Sequence, residues 1–162
     1  MEAFASFFRS INKKSQQKYY ALIPEVLSIL PPLKEKQESE ELSRAIVSLI
    51  DLAEVAPKMF RPLFHNLVLF SISVIQDKEL TDQARQNALE LMATFADYAP
   101  AMVKKDETYT TDMITQCLSL MTDIGVDDDD AAEWNASDDV SASKLHVGVL
   151  LKHSRWIPRK VI

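Results

Sequence analysis

Apolar residues recur at helical rather than alternating spacing through most of this chain, and no strand is predicted between Gln16 and Ile124. The first predicted helix runs from about Gln16 to Leu30 and places Tyr20, Ile23, Val26, Leu27 and Leu30 on one stripe; Pro24 should kink it and Pro31-Pro32 should end it. Ser39 is placed to cap a second helix, with Glu40 and Glu41 in the first turn, where the helix dipole favours acids. Leu42, Ala45, Ile46, Leu49, Ile50, Ala53 and Ala56 follow the i, i+3, i+4, i+7 series of a buried face, and Pro57 closes the helix.

The pattern then repeats. A third predicted helix, about Lys58 to Ile75, has an early proline at Pro62 and is apolar nearly all round, so it should be sandwiched on more than one side. Thr81 and Asp82 open a fourth, with Ala84, Ala88, Leu91, Met92, Phe95 and Ala99 facing inward, and Pro100 ends it. The segment Leu52 to Met59 matches Phe95 to Met102, 43 residues later, at Ala, an acid, Ala, Pro and Met. After a loop from Lys104 to Thr110, Thr111 should cap a fifth helix running through Met113, Ile114, Cys117, Leu118, Leu120, Met121 and Ile124 to Gly125.

Paired helices recurring every 40 to 47 residues are the signature of HEAT or armadillo units, and two helices per unit rather than three favours HEAT. The predicted fold is all-α: a HEAT-repeat solenoid of two helical hairpins plus the first helix of a third, over residues 1–125. An acidic, disordered loop over 126–143 and a basic, divergent tail over 144–162 should follow. The alternative is an ordinary helical bundle, in which the third helix would be expected to show a polar face.

Composition narrows the function classes. Net charge is −6, but residues 1–122 carry 16 acids and 13 bases, 123–139 carry 8 acids and no base, and 140–162 carry 5 bases and no acid. A near-neutral body with an acidic strip argues against a nucleic-acid partner, which requires a basic face, and favours a basic protein. The single cysteine, Cys117, allows no intramolecular disulfide and fits cytosol or nucleus, and no apolar run is long enough to span a bilayer. With two glycines there is no phosphate-cradling loop; Cys117 sits at core spacing, His65 stands alone, and His146 and His153 have no ligand-spaced companions. No catalytic residue, cofactor or metal site is expected.

Three segments resemble a known family: Glu2 to Lys14 (EAFASFFRSINKK), Ala84 to Pro100 (ARQNALELMATFADYAP) and Cys117 to Asp139 (CLSLMTDIGVDDDDAAEWNASDD). Together they are similar to the HEAT repeats before and around the acidic loop of the karyopherin-beta nuclear transport receptors, closest to the importin beta-3 branch. The acidic run with Trp134, directly after a Met-rich helix, carries most of the likeness, because Ala-Pro corners occur in many HEAT proteins. The resemblance implies a nuclear import receptor that wraps basic cargo and the GTPase Ran, contacts Phe-Gly nucleoporins at the pore, and moves between cytoplasm and nucleus. Members have around twenty HEAT units, so this chain reads as a fragment. After Asp139 the family's second helix is replaced by a basic sequence, which should leave Leu118, Met121 and Ile124 exposed.

Asp127, Asp128, Asp129 and Asp130 repel one another and should form a solvated loop. From the residues alone that loop has either no partner or a cationic one; Trp134, a large aromatic among polar neighbours, favours docking. A calcium loop does not fit, since counting from Asp127 puts Ala132 where glycine is needed and Asp138 where glutamate is. The family likeness implies that Asp127, Asp128, Asp129, Asp130, Glu133 and Trp134, with Asp138 and Asp139, hold Ran or cargo lysines. Polar stripes on the second helix (Arg44, Ser48, Asp51, Glu54) and the fourth (Gln83, Asn87, Glu90, Thr94, Asp97) offer a concave surface, on which Asp51, Glu54, Glu90 and Asp97 can meet a basic ligand. A non-transport HEAT scaffold is the competing reading.

Overall fold

The computed structural model describes residues 1–123. All regular structure there is helical: α1 (Glu2–Ser10), α2 (Lys13–Gln16), a 3-10 helix (Gln17–Leu22), α3 (Ile23–Leu27), α4 (Leu30–Glu35), α5 (Ser39–Val55), a second 3-10 helix (Pro57–Leu63), α6 (Phe64–Ile75), α7 (Asp82–Tyr98), α8 (Pro100–Val103) and α9 (Tyr109–Thr122). The elements form two rows. Helices α1, α5 and α7 lie side by side in one; the other is built from α2 to α4, the second 3-10 helix with α6, and α8 with α9.

The 43-residue repeat has a conformational basis. Helices α5 and α7 are both 17 residues long, and each ends at an alanine followed by proline. A proline disfavours the helical region for its predecessor. Ala56 (φ −142°, ψ 56°) and Ala99 (φ −136°, ψ 47°) accordingly adopt nearly the same non-helical backbone. Each alanine donates its amide to the carbonyl four residues back, at 2.8 and 2.9 Å, and accepts from a methionine amide three residues on, Met59 at 3.1 Å and Met102 at 2.8 Å. One short sequence therefore builds the same corner twice.

The buried face of α5 follows the predicted series, with Leu42, Ala45, Ile46, Leu49, Ile50 and Ala53 all inside, and Ala84, Ala88, Leu91, Met92 and Phe95 are buried on α7. Phe95 joins the rows: it meets Phe60 edge-on at 5.3 Å and Phe64 at 5.2 Å, while Phe64 stacks on Tyr109 at 5.6 Å. Every side-chain hydrogen bond spanning more than 17 residues joins positions 38 to 45 apart, so none among the described residues reaches past a neighbouring repeat. This is the nearest-neighbour contact pattern of a solenoid.

Several expectations are corrected. The two hairpins and the first helix of a third are present as expected, and a further helix, α1, precedes them and packs on α5 through Ala5 and Phe8. The single kinked helix expected from Gln16 to Leu30 is four short pieces. Pro31-Pro32 does not end a helix but lies in the first turn of α4, where the missing amide costs nothing and the fixed φ helps. Ser39 is the first residue of α5 and its side chain does not cap it; its hydroxyl instead accepts the Thr81 amide of the next repeat at 3.4 Å. The third predicted helix splits at Leu63 (φ −119°, ψ 13°), just after Pro62, into a 3-10 helix and α6. Helix α6 does pack on more than one side, against α7 and α9, while Leu69 is half exposed. Thr81 does cap α7, accepting from Ala84 at 3.4 Å, but α9 begins at Tyr109, two residues before the predicted cap Thr111.

Candidate protein-binding surface

The row of α1, α5 and α7 exposes a polar face. On α5 it carries Glu40, Arg44, Val47 and Glu54 exposed, with Asp51 half-buried; on α7 it carries Gln83, Glu90 and Asp97, all exposed. The predicted stripes are only partly solvent-facing. Ser48, Asn87 and Thr94 are buried where the helices pack together. Asn87 donates to Ser43 Oγ at 2.7 Å across the α5–α7 contact and accepts from Gln83 at 2.8 Å. Ser48 and Thr94 satisfy their hydroxyls on carbonyls of their own helices, at 3.0 and 2.9 Å.

The four predicted acids therefore differ. Asp51 is ion-paired with Arg9 of α1, so it holds two neighbouring helices together as well as carrying charge. Arg44 is paired with Glu40 in the same way within α5. Glu54, Glu90 and Asp97 have no ion-pair partner among the described residues, which leaves this face with a surplus of negative charge. Glu54 and Asp97 stand 43 residues apart, at the same position on two adjacent helices of equal length. A cavity of about 690 Å³ opens at one edge of the face, where Met1, Ile29 and Val47 supply apolar lining and Glu2, Glu41 and Asp51 the acids.

Asp127, Asp128, Asp129, Asp130, Glu133, Trp134, Asp138 and Asp139 lie outside the described residues. Asp123, the first acid of that run, is described, and it is structural: Lys78 donates to it at 2.9 Å and Arg85 from the other side, which hold its carboxyl below the ordinary carboxylate value. Asp77 has the matching role one repeat earlier. Partial burial pushes its carboxyl up, but donation from Lys34, the Glu79 amide and Gln37 outweighs this and holds it low. Because Lys78 follows Asp77 in sequence, these residues form a chain from Lys34 to Asp77 and from Lys78 to Asp123 that ties three successive repeats.

Three residues that sequence reasoning passed over organise the third repeat. Arg85 is buried and donates to the Ile75 carbonyl at 2.8 Å while pairing with Asp82 and Asp123. Tyr109, read as loop, is fully buried and its hydroxyl donates to the Met92 carbonyl. His65, read as solitary, lies 3.0 Å from Asp106. Asp106 is pushed up by burial, yet His65, the Thr108 hydroxyl and the Thr108 amide more than offset this and keep its carboxyl low. The reasoning applied to Trp134, that a large aromatic in a polar stretch docks, was available for Tyr109 in KKDETYTTD and would have found it. Among the described residues no three His, Cys, Asp or Glu side chains gather as a metal site, no helix is long and apolar enough to cross a membrane, and Cys117 is part-buried.

Helix pairs that repeat at 43 residues and touch only their neighbours define an α-solenoid of the HEAT type, whose long faces serve to bind other proteins. Comparison with known proteins specifies which one. Residues 77–146 match a family described as importin repeat, and residues 1–70 one described as IPO5-like, TPR repeats; the 43-residue period itself is that of HEAT rather than of 34-residue TPR units. Importin subunit beta-3 of Saccharomyces cerevisiae is 38% identical over 137 residues, 85% of this chain and 13% of the relative. Crystal structures of Kap121p bound to RanGTP and bound to Nup53p both superpose with a TM-score of 0.78 at 37% identity; the first covers 86% of this chain, the second 87%, and each 14% of the Kap121p chain. This chain belongs to the karyopherin-beta family, in its importin beta-3 branch.

Proposed function

We propose that this chain contributes a protein-binding segment of a nuclear import receptor, one that takes basic cargo signals and the GTPase Ran. The supporting observation is the charge surplus on the α5–α7 face, with Glu54 and Asp97 in the same register on adjacent helices. Adjacent helix axes lie about 8–10 Å apart. An extended peptide advances about 3.3 Å per residue, so side chains three positions apart are separated by about 10 Å. A peptide laid across α5 and α7 with lysines at i and i+3 would meet both acids, whereas adjacent lysines would not.

The acidic run extends this reading. Asp127, Asp128, Asp129, Asp130, Glu133 and Trp134, with Asp138 and Asp139 as outer members, supply a cationic guest with charge and one aromatic anchor. Phe-Gly nucleoporins are the further partner, and cytoplasm and nucleus the compartments. The relatives crystallised with RanGTP, Nup53p, Ste12p and Pho4p support a receptor role that depends on binding rather than catalysis.

The test is binding of the full chain to Ran loaded with GTP or GDP, and to labelled peptides with lysines three apart or adjacent, at two salt concentrations. We expect preference for the GTP form, for the i, i+3 peptide and for low salt. Replacing Asp127 to Asp130 by Asn should weaken the Ran contact, and E54Q/E90Q/D97N should weaken peptide binding about tenfold. Equal binding of both nucleotide forms, with no response to either set of substitutions, would remove the assignment.

A further inference from the structure

Helix α9 turns one face into the core and a second, apolar face outward. Tyr109, Met113 and Leu120 pack inward, whereas Ile114, Leu118 and Met121, at i, i+4 and i+7, are 55%, 57% and 67% exposed. The outward stripe has a counterpart one unit earlier. Asp77 and Asp123 follow α6 and α9 in the same way, each accepting from a lysine of the unit before, which sets the two helices 46 residues apart in register. Ile114, Leu118 and Met121 then correspond to Val68, Ile72 and Ile75. On α6 those three are buried or half-buried, in a helix that packs against α7 and α9. On α9 the same surface is open among the described residues.

The first unit is open on its other side. Leu22 and Ile29, seven residues apart, are each nearly half exposed, while Ile23 and Leu30, one position on, are buried in the core. Ile29 also lines the 690 Å³ cavity with Leu33, Met1 and Val47, so this end of the stack combines an apolar ridge with a partly apolar recess. Successive residues turn about 100° around a helix axis. On α9 the exposed stripe follows the inward-facing positions Met113 and Leu120 by one residue; on the first unit it precedes Ile23 and Leu30 by one. The two apolar stripes therefore face opposite ways along the stack.

We propose that copies of this chain stack head to tail, with Ile114, Leu118 and Met121 of one copy against Leu22 and Ile29 of the next, so that the packing that joins units within one molecule continues between molecules. Charge favours this over a symmetrical contact of α9 with α9. Arg9 and Lys34 are paired with Asp51 and Asp77, which leaves residues 1–36 with four other bases and three acids. Asp123 is paired with Lys78 and Arg85, and residues 104–162 carry ten other acids and seven bases. A symmetrical contact brings two acid-rich ends together, and the head-to-tail contact does not. Because it joins two different surfaces and leaves one of each free, the head-to-tail contact adds copy after copy as concentration rises. It does not depend on which ligand the α5–α7 face takes.

The experiment is sedimentation velocity of the full chain over a wide concentration range, alongside two variants: L22S/I29S, which blocks the head, and I114S/L118S/M121S, which blocks the tail. We expect the average sedimentation coefficient of the unmodified chain to keep rising with concentration past that of a dimer, and each variant alone to associate at least about tenfold more weakly. Mixed in equal amounts, the two variants should form a one-to-one dimer and nothing larger, since each retains the face that the other lacks. The proposal is overturned if the unmodified chain stays monomeric throughout, if either variant alone associates as the unmodified chain does, or if the mixture stays monomeric. Association by L22S/I29S alone that stops at a dimer would instead mark a symmetrical α9 contact. All five side chains are exposed, so circular dichroism spectra matching the unmodified chain verify that the loss of association reflects the faces and not the fold.

Discussion

Tyr109 gives the sharpest test of how the third repeat is held. Its ring is 1% exposed, stacks on Phe64 with planes 19° apart, and its hydroxyl reaches the Met92 carbonyl on α7. Tyr109→Phe removes only the hydroxyl, so the expected loss is about 1 kcal/mol, the net contribution of one buried neutral hydrogen bond. Tyr109→Ala removes the ring as well and leaves a cavity beside Phe64, for an expected loss of about 3–5 kcal/mol. Urea unfolding followed by circular dichroism measures both, and hydrogen exchange should show the α9 amides opening first. A second signature lies in alkali. Burial, aided by the negative charge of Asp106, raises the phenol above its ordinary 10.0 in the folded chain. Above pH 10 the unfolded chain releases this proton while the folded chain retains it, so the stabilisation is complete below pH 10 and falls as pH rises further. Tyr109→Phe lacks that dependence. The stability difference between the two proteins should therefore be constant through neutral pH and shrink above pH 10. A difference that stays constant through strong alkali, or an alanine variant no worse than phenylalanine, would refute this account of the α7–α9 joint.

Other outcomes follow from the same contacts. Arg85→Met should cost about 2 kcal/mol through the Ile75 carbonyl alone, because a charged donor is lost from a buried acceptor, and α9 should fray at its C-terminal end in hydrogen exchange. Asp77→Asn should flatten the acid limb of the stability curve: a carboxyl held low stabilises above its ordinary 3.8, and that contribution disappears as pH falls below it. Leu49→Ala, in the middle of α5, should cost about 2–5 kcal/mol in urea unfolding. Ile114→Ser with Leu118→Ser and Met121→Ser removes an exposed apolar face of α9, so it should change stability by less than about 1 kcal/mol while reducing self-association in sedimentation velocity.

What the sequence revealed is what depends on period. The apolar series on α5 and α7, the proline corners and the 43-residue repeat are properties of spacing, and each appears in the structure where spacing puts it. Proline direction was not legible, since Pro31-Pro32 is as compatible with starting a helix as with ending one, and only the packing of Leu30 and Leu33 decides. The polar residues were legible as a stripe but not as individuals. Whether Asn87 faces water or Ser43 depends on a neighbouring helix 44 residues away, and nothing in the local pattern distinguishes it from Glu90. The same applies to Asp123, which by composition belongs with the acids that follow it and by contact belongs to Lys78 and Arg85.

Translation of one unit along a stack also explains how this fold can produce a charge code. When each repeat contacts only its neighbours, a side chain at one register position recurs at a spacing set by helix diameter, so the sequence interval of 43 residues becomes a spatial interval of about 10 Å. The interval at Val47 and Glu90, or at Asp51 and Thr94, could have carried the same charge and does not; only Glu54 and Asp97 repeat an acid. Stability imposes no such choice on exposed positions, where substitutions change folding by a few tenths of a kcal/mol. The packing residues of the two units are therefore constrained by the fold, while the residues facing water differ from one unit to the next. A ligand that spans both helices can read that difference, and moving the acid from Glu54 to position 47 should change which lysine spacing binds best without changing the unfolding midpoint.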